Sequence, residues 1–249
     1  MENAIEIREC TTLDELAECV NLQREVFDLP EVELSPVRHF VVTKNAGGFT
    51  LGAYDGDRLA GYVLSVPAFM RGEKAFYSHM TGVRKEYQSA GIGRRLKWAQ
   101  RERAIQLGVK FIKWTFEPVK ARNGYFNLEK LGAIVTEYER NFYGTDYAVS
   151  PENGKQIGLQ SDRLFAEWHL ESEKVRALAA DKGWTESRTP EAEVEVRNDW
   201  AELVVADPAA ALELQLRVRA DFESAIARGL HAAAFRRDEV RPAYLFFKM

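Results

Sequence analysis

The sequence predicts a mixed α/β fold, and three observations support this prediction. Runs with alternating apolar residues, such as residues 74–83, are typical of strands. Runs with apolar residues at helical spacing lie between them. Glycine, proline and Asp-Gly turn signals separate the two kinds of run. The chain has 249 residues, of which 46% are hydrophobic, so it can bury a substantial core.

The first predicted elements are a short strand and an amphipathic helix. Residues 5–7 alternate like a strand, and Thr12 with Glu15 forms the capping-box pattern that opens helices. The helix is indicated by the apolar stripe Leu13, Leu16, Ala17, Val20 and Phe27. Two prolines then interrupt the chain, and we expect a second, short helix over residues 37–44.

A hairpin and a third strand follow. Residues 47–66 read as two strands joined at Asp55-Gly56, a strong hairpin signal. In the next strand, residues 74–83, strict alternation places Tyr77, His79, Thr81 and Val83 on one face and Phe76, Ser78 and Met80 on the other.

The middle of the chain continues the alternation. The predicted elements are a helix over residues 92–107 stopped by Gly108, a strand over 109–118, a helix over 121–131 stopped by Gly132, and strands over 133–144 and 162–170.

The last third of the chain differs in composition. Residues 185–199 are polar, contain proline and resemble a boundary. Asp207-Pro208 then opens a long helix that Gly229 closes. Residues 230–247 fit a hairpin. We therefore expect a first domain over residues 1–171 and an α/β extension over 172–249 packed on it. The extension could cover a site of the first domain, form a small lobe, or support a homodimer.

Composition restricts the function classes. The net charge of −4 gives no general attraction to nucleic acid or to an anionic membrane, so we expect neither as a partner. Two cysteines without a CxxC spacing, and no apolar signal core at the start, favour a cytoplasmic protein. The four histidines are scattered without ligand spacing, so we expect no metal site.

The stretch EYQSAGIGRRL, residues 86–96, marks a glycine-rich turn between a strand and a helix. Backbone amides at a helix N-terminus form an anion site, and phosphate is the usual occupant. Five cations flank this turn: Arg84, Lys85, Arg94, Arg95 and Lys97. Neither the dinucleotide GxGxxG pattern nor the Walker pattern matches.

Gln88–Gly93 does match the pattern [Q/R]-x-x-G-x-[G/A]. Together with HMTGVRKEYQSAGIGRRL and the downstream KLGA, it resembles the GNAT acyltransferase superfamily over about residues 4–170. The resemblance implies a strongly twisted, mixed central sheet flanked by helices. It also implies acetyl-CoA or another acyl-CoA as cosubstrate.

The resemblance also assigns cosubstrate contacts by position. Main-chain groups of Gly82 and Val83 would meet the pantetheine arm and the thioester. The pyrophosphate would lie on Gln88, Ser89, Ala90, Gly91, Ile92, Gly93 and Arg94. Asn123 and Asn127, four residues apart, could bind the coenzyme arm or the substrate, or Asn123 could simply cap its helix.

Candidate catalytic residues follow from the same resemblance. His79 lies four residues before Val83, where relatives start a proton relay, and an ordinary histidine pKa of about 6.5 suits a base. The usual tyrosine acid is replaced by Leu128, so Tyr125, about one turn away, could substitute or could be a packing residue. Glu117 could relay protons, hold a cationic amine, or end a strand in solvent.

The resulting hypothesis is an N-acyltransferase that moves a short acyl group from acyl-CoA to a primary amine of a small molecule by direct attack. The amine must be neutral to attack, and a lysine-like amine with a pKa of about 10.4 therefore needs a base. Two alternatives stay open: a non-catalytic acyl-CoA-binding module, which Leu128 favours, and a transferase acting on a protein or aminoglycoside amine.

Overall fold

The computed structural model describes residues 5–27, 29–146 and 158–248. The chain divides into two compact units, Met1–Lys113 and Trp114–Met249. This division lies inside a strand. A functional boundary after residue 171 stays a prediction.

The first unit contains four complete strands, three helices and the start of a fifth strand. They are β1 (Glu6–Glu9), α1 (Leu13–Phe27), α2 (Val37–Asn45), β2 (Phe49–Asp55), β3 (Arg58–Met70), β4 (Glu73–Val83), α3 (Ile92–Gln106) and β5 (Phe111–Phe116). Short 3-10 turns lie at Glu31–Glu33 and Lys85–Tyr87.

The sheet of the first unit is an antiparallel meander. β1 pairs with β2, β2 with β3, and β3 with β4. β4 then pairs in parallel with the beginning of β5, through Phe76↔Ile112 and Tyr77↔Lys113. β4 continues past this pairing to Val83, which leaves its last residues at the edge where the resemblance places acyl-CoA.

Local signals explain the boundaries of these elements. The capping box is present: the Glu15 amide donates to Thr12 Oγ1 at 3.2 Å, and the Thr12 amide donates to Glu15 Oε2 at 3.0 Å. Gly56, with a φ of +57°, turns the β2–β3 hairpin. The predictions for this hairpin and for α1 are confirmed.

The core between α1, α2 and the sheet is apolar. Its buried members are Cys10, Leu16, Cys19, Val20, Leu22, Phe40, Tyr54, Leu59, Tyr62 and Leu64. The helical stripe expected from residue 13 onward supplies Leu16 and Val20, whereas Leu13 is exposed. Burial of this face anchors α1 against the strands that carry the site.

Within the described residues, the second unit comprises the rest of β5 and nine further elements. They are α4 (Ala121–Tyr125) with a π-helical turn (Phe126–Lys130), β6 (Ile134–Glu139), β7 (Arg163–His169), α5 (Glu173–Ala179), β8 (Ala192–Glu195), α6 (Trp200–Ala206), α7 (Pro208–Ala227), β9 (Leu230–Arg236) and β10 (Ala243–Lys248). Neighbouring strands in its sheet run β7-β6-β9-β10-β8.

Several predictions for this unit are confirmed. Asp207 caps α7 by accepting from the Ala210 amide at 3.0 Å, and Pro208 occupies the first turn. Val218, Phe222 and Ala225 are buried along one face of the helix. β9 and β10 form the expected antiparallel hairpin.

Other details differ from the prediction. The strand expected over residues 133–144 ends at Glu139. The stretch 185–199, expected to be a boundary, contains β8, which pairs with β10. Val194 is the one fully buried residue of β8, and the residues on either side of it are glutamates. A strand with so little apolar surface reads as a linker in sequence. The short helices α5 and α6 were also not predicted.

The fold is thus mixed α/β, as the sequence predicts. Within the described ranges, no helix combines the length and apolar character needed to cross a membrane.

Candidate functional site

β4 has a bulge at His79. The register pairs Leu64 with Met80 and Ser65 with Ser78, so His79 is an extra residue without an opposite partner on β3. A bulge disrupts the ladder locally and redirects side chains, and bulges are frequent beside active sites. The prediction of strict alternation along this strand is therefore wrong from residue 79 onward.

The bulge changes which side chains share a face. Ser78 contacts Gln100 of α3, on one side of the sheet. His79 and Met80 both lie on the other side, where His79 meets Ser35 and Met80 packs on the α1–α2 core. His79 therefore stays on the face of Tyr77, which lies opposite Val66 of that core, and Met80 joins it there. Val83 lies on the other side, against α3.

His79 has two polar neighbours. Its Nε2 lies 3.0 Å from Ser35 Oγ, and the ring of His39 stands edge-on to it at a centroid distance of 5.5 Å. His79 is exposed overall, and the protein atoms packed around its ring partly desolvate the imidazole. Burial lowers the pKa of His79 below its ordinary 6.5, and the charge of His39 lowers the pKa further. A neutral imidazole at pH 7 can accept a proton.

Gln23 holds Ser35 in place. The Ser35 amide donates to Gln23 Oε1 at 2.9 Å, and Gln23 Nε2 donates to the Ser35 carbonyl at 3.1 Å. Gln23 is completely buried in α1. No signal in the sequence points to Gln23, Ser35 or His39, because each is far from residue 79 in the chain and carries no local motif.

The glycine-rich turn has the backbone shape of an anion cradle. Ser89 has a φ of +67° and Gly91 a φ of +78°, and α3 begins at Ile92 directly after them. Alternating left-handed residues point successive amides inward, as in known phosphate nests. Gly91 caps the helix without a side chain, and the first amides of any α-helix have no intrahelical acceptor.

The two ends of this cradle are supported by the fold. Gln88 Nε2 donates to the Val83 carbonyl at 3.1 Å, which ties the turn to the end of β4. Ile92 is buried and anchors α3, so only its backbone is available. Ser89 and Ala90 are exposed.

Two glycines of the site have different steric roles. A Cβ at Gly82 would lie 2.9 Å from Leu22 Cδ2, so close packing of α1 requires glycine there. A Cβ at Gly93 would meet only Val83 Cγ2, at an ordinary 3.8 Å. The fold does not require glycine at position 93, and the missing side chain leaves room for a ligand at the helix N-terminus.

The cations expected around the turn are not all available to a ligand. Arg84 is buried, donates to the Leu59 carbonyl at 2.7 Å and pairs with Glu25. Arg95 donates to the Ile5 carbonyl at 2.6 Å. The expectation that Arg84 contributes to the cationic corner is wrong, because acidic residues of α1 neutralise it.

Lys97 is also not available to a ligand at the turn, because it is buried between α3 and the sheet. It is 3% exposed and donates to Ser78 Oγ at 3.0 Å and to Gln100 Oε1 at 2.6 Å. Burial lowers the pKa of Lys97 well below 10.5. Gln100 also donates to Ser65, so α3 and the sheet share a buried polar network.

In the second unit, Tyr125 lies in a cationic environment. Lys130 Nζ lies 5.1 Å and the Arg237 guanidinium 5.2 Å from its ring centroid. Lys130, and after it Arg237, lower the pKa of Tyr125 below 10, which makes the phenol a better acid. Leu128, at the usual tyrosine position, is fully buried and apolar.

The two candidate asparagines differ in environment. Asn127 is buried, and its Oδ1 accepts from Trp114 Nε1 at 3.2 Å. Asn123 is half-exposed on α4. Because Asn123 and Asn127 are four residues apart, a regular α-helix would place them on one face. The helix changes from α to π geometry at Phe126, between the two asparagines, and that expectation does not take this change into account.

Glu117 follows the last residue of β5 and is half-exposed. Lys120 Nζ lies 2.9 Å and Arg163 Nη2 4.0 Å from its carboxylate. The strand-end side chain is thus paired with cations of its own unit. Among the residues that the structure describes, no group of three or more potential metal ligands is found.

The chain is similar to known proteins in sequence and in fold. The sequence model of the acetyltransferase (GNAT) family matches residues 13–133. No curated protein matches the sequence significantly.

Solved structures share the fold at low identity. A protein assigned to the GNAT family from Desulfovibrio desulfuricans superposes with a TM-score of 0.52 at 13% identity, covering 67% of this chain and 99% of its own. The ribosomal-protein-S18-alanine N-acetyltransferase of Escherichia coli gives 0.52 at 13% identity, covering 66% and 93%. A candidate acetyltransferase of Acinetobacter baylyi gives 0.52 at 15% identity, covering 68% and 94%.

These likenesses concern the fold, and the family match concerns the segment that holds the bulge and the cradle. Residues 13–133 of the chain thus carry the sequence pattern of the acetyltransferase (GNAT) family.

Proposed function

We propose that the protein transfers an acetyl or other short acyl group from acyl-CoA to a primary amine of a small molecule. The observation that carries this proposal is the cradle at residues 88–94, where two left-handed residues precede free helix amides and Gly93 leaves space. The diphosphate of the coenzyme would lie on these amides. Main-chain groups of Gly82 and Val83 would receive the pantetheine arm.

The proposed reaction is a direct transfer. The amine nitrogen attacks the thioester carbonyl, a C–N bond forms, the C–S bond breaks, and the coenzyme leaves as a thiolate. His79 takes the proton that the amine loses, and its lowered pKa keeps it neutral for this step. The backbone amide freed by the bulge would stabilise the oxyanion.

Groups of the second unit complete the proposal. Tyr125, with its lowered pKa, is the candidate acid that protonates the leaving thiolate. Glu117 is the candidate to hold the cationic amine or relay its proton. Asn123 is the candidate for contact with the coenzyme arm, and Asn127, whose Oδ1 is occupied, would contribute its amide NH2.

Thiol release tests this function directly. The protein is incubated with acetyl-CoA or succinyl-CoA and a panel of amines, including amino acids, an aminoglycoside and a peptide. Amine-dependent thiol release with a small amine supports the proposal, and release only with the peptide or the aminoglycoside replaces the acceptor class. Coenzyme binding without amine-dependent release supports a binding module, which the buried Leu128 favours.

A further inference from the structure

The second unit has a pocket of about 350 Å³ that is open to solvent on one side. Of the residues that line it, the proposed reaction uses Glu117. The end of β5, the segment before β7, and α6 form this cavity. Its apolar lining consists of Pro118, Val119, Leu159, Trp200, Ala201 and Val204. Cavities of this size and apolar character hold small molecules.

The wall before β7 is held rigidly. Gln215 of α7 accepts from the Gln160 amide at 3.1 Å and donates to the Gln160 carbonyl at 2.6 Å. Asp162 is buried and accepts from Arg219 at 2.8 and 2.9 Å, so Arg219 balances its charge. The cavity is therefore preformed, and Asp162 is committed to the fold.

The remaining wall holds the carboxylate of Asp146, which accepts from the Gly158 and Leu159 amides at 3.0 and 3.2 Å, and a cluster of three charged side chains. Glu117 lies between Lys120, at 2.9 Å, and Arg163, at 4.0 Å. The Arg163 side chain is only 6% exposed, donates to the Asp162 carbonyl at 2.9 Å and stacks over Tyr143. A guanidinium held in a fixed orientation beside an apolar space is suited to a carboxylate.

The cavity thus combines an apolar surface with neighbouring positive and negative groups. A ligand with a single charge could pair either with the cations Lys120 and Arg163 or with the carboxylate of Glu117, but not with both. A zwitterion satisfies both, with its carboxylate towards Arg163 and Lys120 and its ammonium towards Glu117. Its apolar side chain would then contact Trp200 and Val204.

We propose that this cavity binds an α-amino acid with an apolar side chain. Binding is measured by calorimetry on the full chain without acyl-CoA, so the result is independent of whether transfer occurs. The probes are L-phenylalanine and L-leucine, compared with 2-phenylethylamine, which lacks the carboxylate, and 3-phenylpropionate, which lacks the amine. We expect the two amino acids to bind and each analogue to bind at least about tenfold more weakly than phenylalanine.

Variants locate the binding. Ala201→Trp places a large ring in the cavity and is expected to abolish amino-acid binding. Ala209→Trp, the same change at an exposed helical position outside the cavity, should leave the affinity unchanged. Glu117→Gln should weaken the amino acids by about tenfold. It should not weaken 3-phenylpropionate, because that probe has no ammonium and Lys120 and Arg163 lose a competing carboxylate. Melting temperatures check that each variant is folded.

Three results would overturn the proposal. One is the lack of measurable heat with either amino acid at millimolar concentration. The second is binding that survives Ala201→Trp in a folded protein. The third is a 2-phenylethylamine affinity equal to that of phenylalanine, which would identify an amine site without recognition of the carboxylate.

Discussion

The Nε2 atom of His79 and the Oγ atom of Ser35 lie 3.0 Å apart, although 44 positions separate the two residues in the chain. This hydrogen bond fixes the ring plane of His79 whichever of the two groups donates. Gln23 in turn fixes the backbone of Ser35. The candidate base is thus oriented by two residues that do not belong to its strand.

Replacing His79 tests its role as the base. His79→Ala is expected to lower the amine-dependent transfer rate by about 100-fold or more, with unchanged coenzyme affinity. Because the pKa of His79 is lowered, the acid limb of the wild-type kcat/KM profile should have its midpoint below 6.5. That limb should vanish in the variant. An identical pH–rate profile for both proteins would remove His79 from the relay.

Ser35 is expected to act as a positioning residue. Ser35→Ala should lower kcat by about tenfold and shift the midpoint of the acid limb, because the imidazole loses its fixed partner. Ser35→Thr, which retains the hydroxyl, should restore part of the rate. Ser187→Ala, at an exposed position, is the matched control. A fall in melting temperature with an unmoved pH profile would reduce Ser35 to a structural role.

The cradle can be tested at Gly93 without damage to the fold. Gly93→Ala should leave the free energy of unfolding unchanged or raise it by up to about 1 kcal/mol, since alanine is the better helix former and has space. Gly93→Ala should still bind the coenzyme, because the pattern of this turn allows alanine at position 93. In Gly93→Leu the larger side chain occupies the ligand's space, so coenzyme affinity measured by calorimetry should fall at least about tenfold. Unchanged affinity in Gly93→Leu would contradict a diphosphate at this turn.

Gly91→Ala provides a contrast. Its φ of +78° strains any L-residue, so this variant should lose about 1 kcal/mol of stability as well as affinity. Gly91→Ala and Gly93→Leu therefore separate strain in the turn from obstruction of the ligand.

Lys97 should make stability depend on pH. Burial lowers its folded pKa below 10.5, so between the lowered pKa and 10.5 the unfolded chain binds a proton that the folded chain does not. The free energy of unfolding therefore rises with pH in this window, by up to about 1.4 kcal/mol per pH unit. Urea unfolding of Lys97→Met should show a flatter dependence, whereas exposed Lys182→Met should follow the wild type. Parallel curves for Lys97→Met and the wild type would mean that Lys97 stays charged.

Tyr125 can be tested through the alkaline limb. If the phenol protonates the thiolate, Tyr125→Phe should lower kcat and remove the alkaline limb of its pH profile. Lys130 is the main cause of the lowered pKa of Tyr125, so Lys130→Gln should move that limb to higher pH. A wild-type kcat in Tyr125→Phe would identify a packing residue, with the thiolate leaving unaided.

Much of the first unit could be predicted because its signals are local. The Thr12–Glu15 capping box and the Asp55-Gly56 turn occur as the sequence indicates. The bulge at His79 could not be predicted, since alternation in β4 is broken only by its register with β3. One extra residue was enough to place Met80 on the face of His79 and Val83 on the opposite face.

The chain alone determined the order of its main elements and the backbone of the glycine turn, because helix caps and left-handed turns depend on residues next to one another. Only the tertiary structure decided the surroundings of each charged or titratable group. Arg84 and Lys97 look alike in sequence as cations beside the turn, yet one pairs with acidic residues of α1 and the other is buried against Ser78. The pKa and availability of a side chain depend on burial and on distant partners, and only folding brings these together.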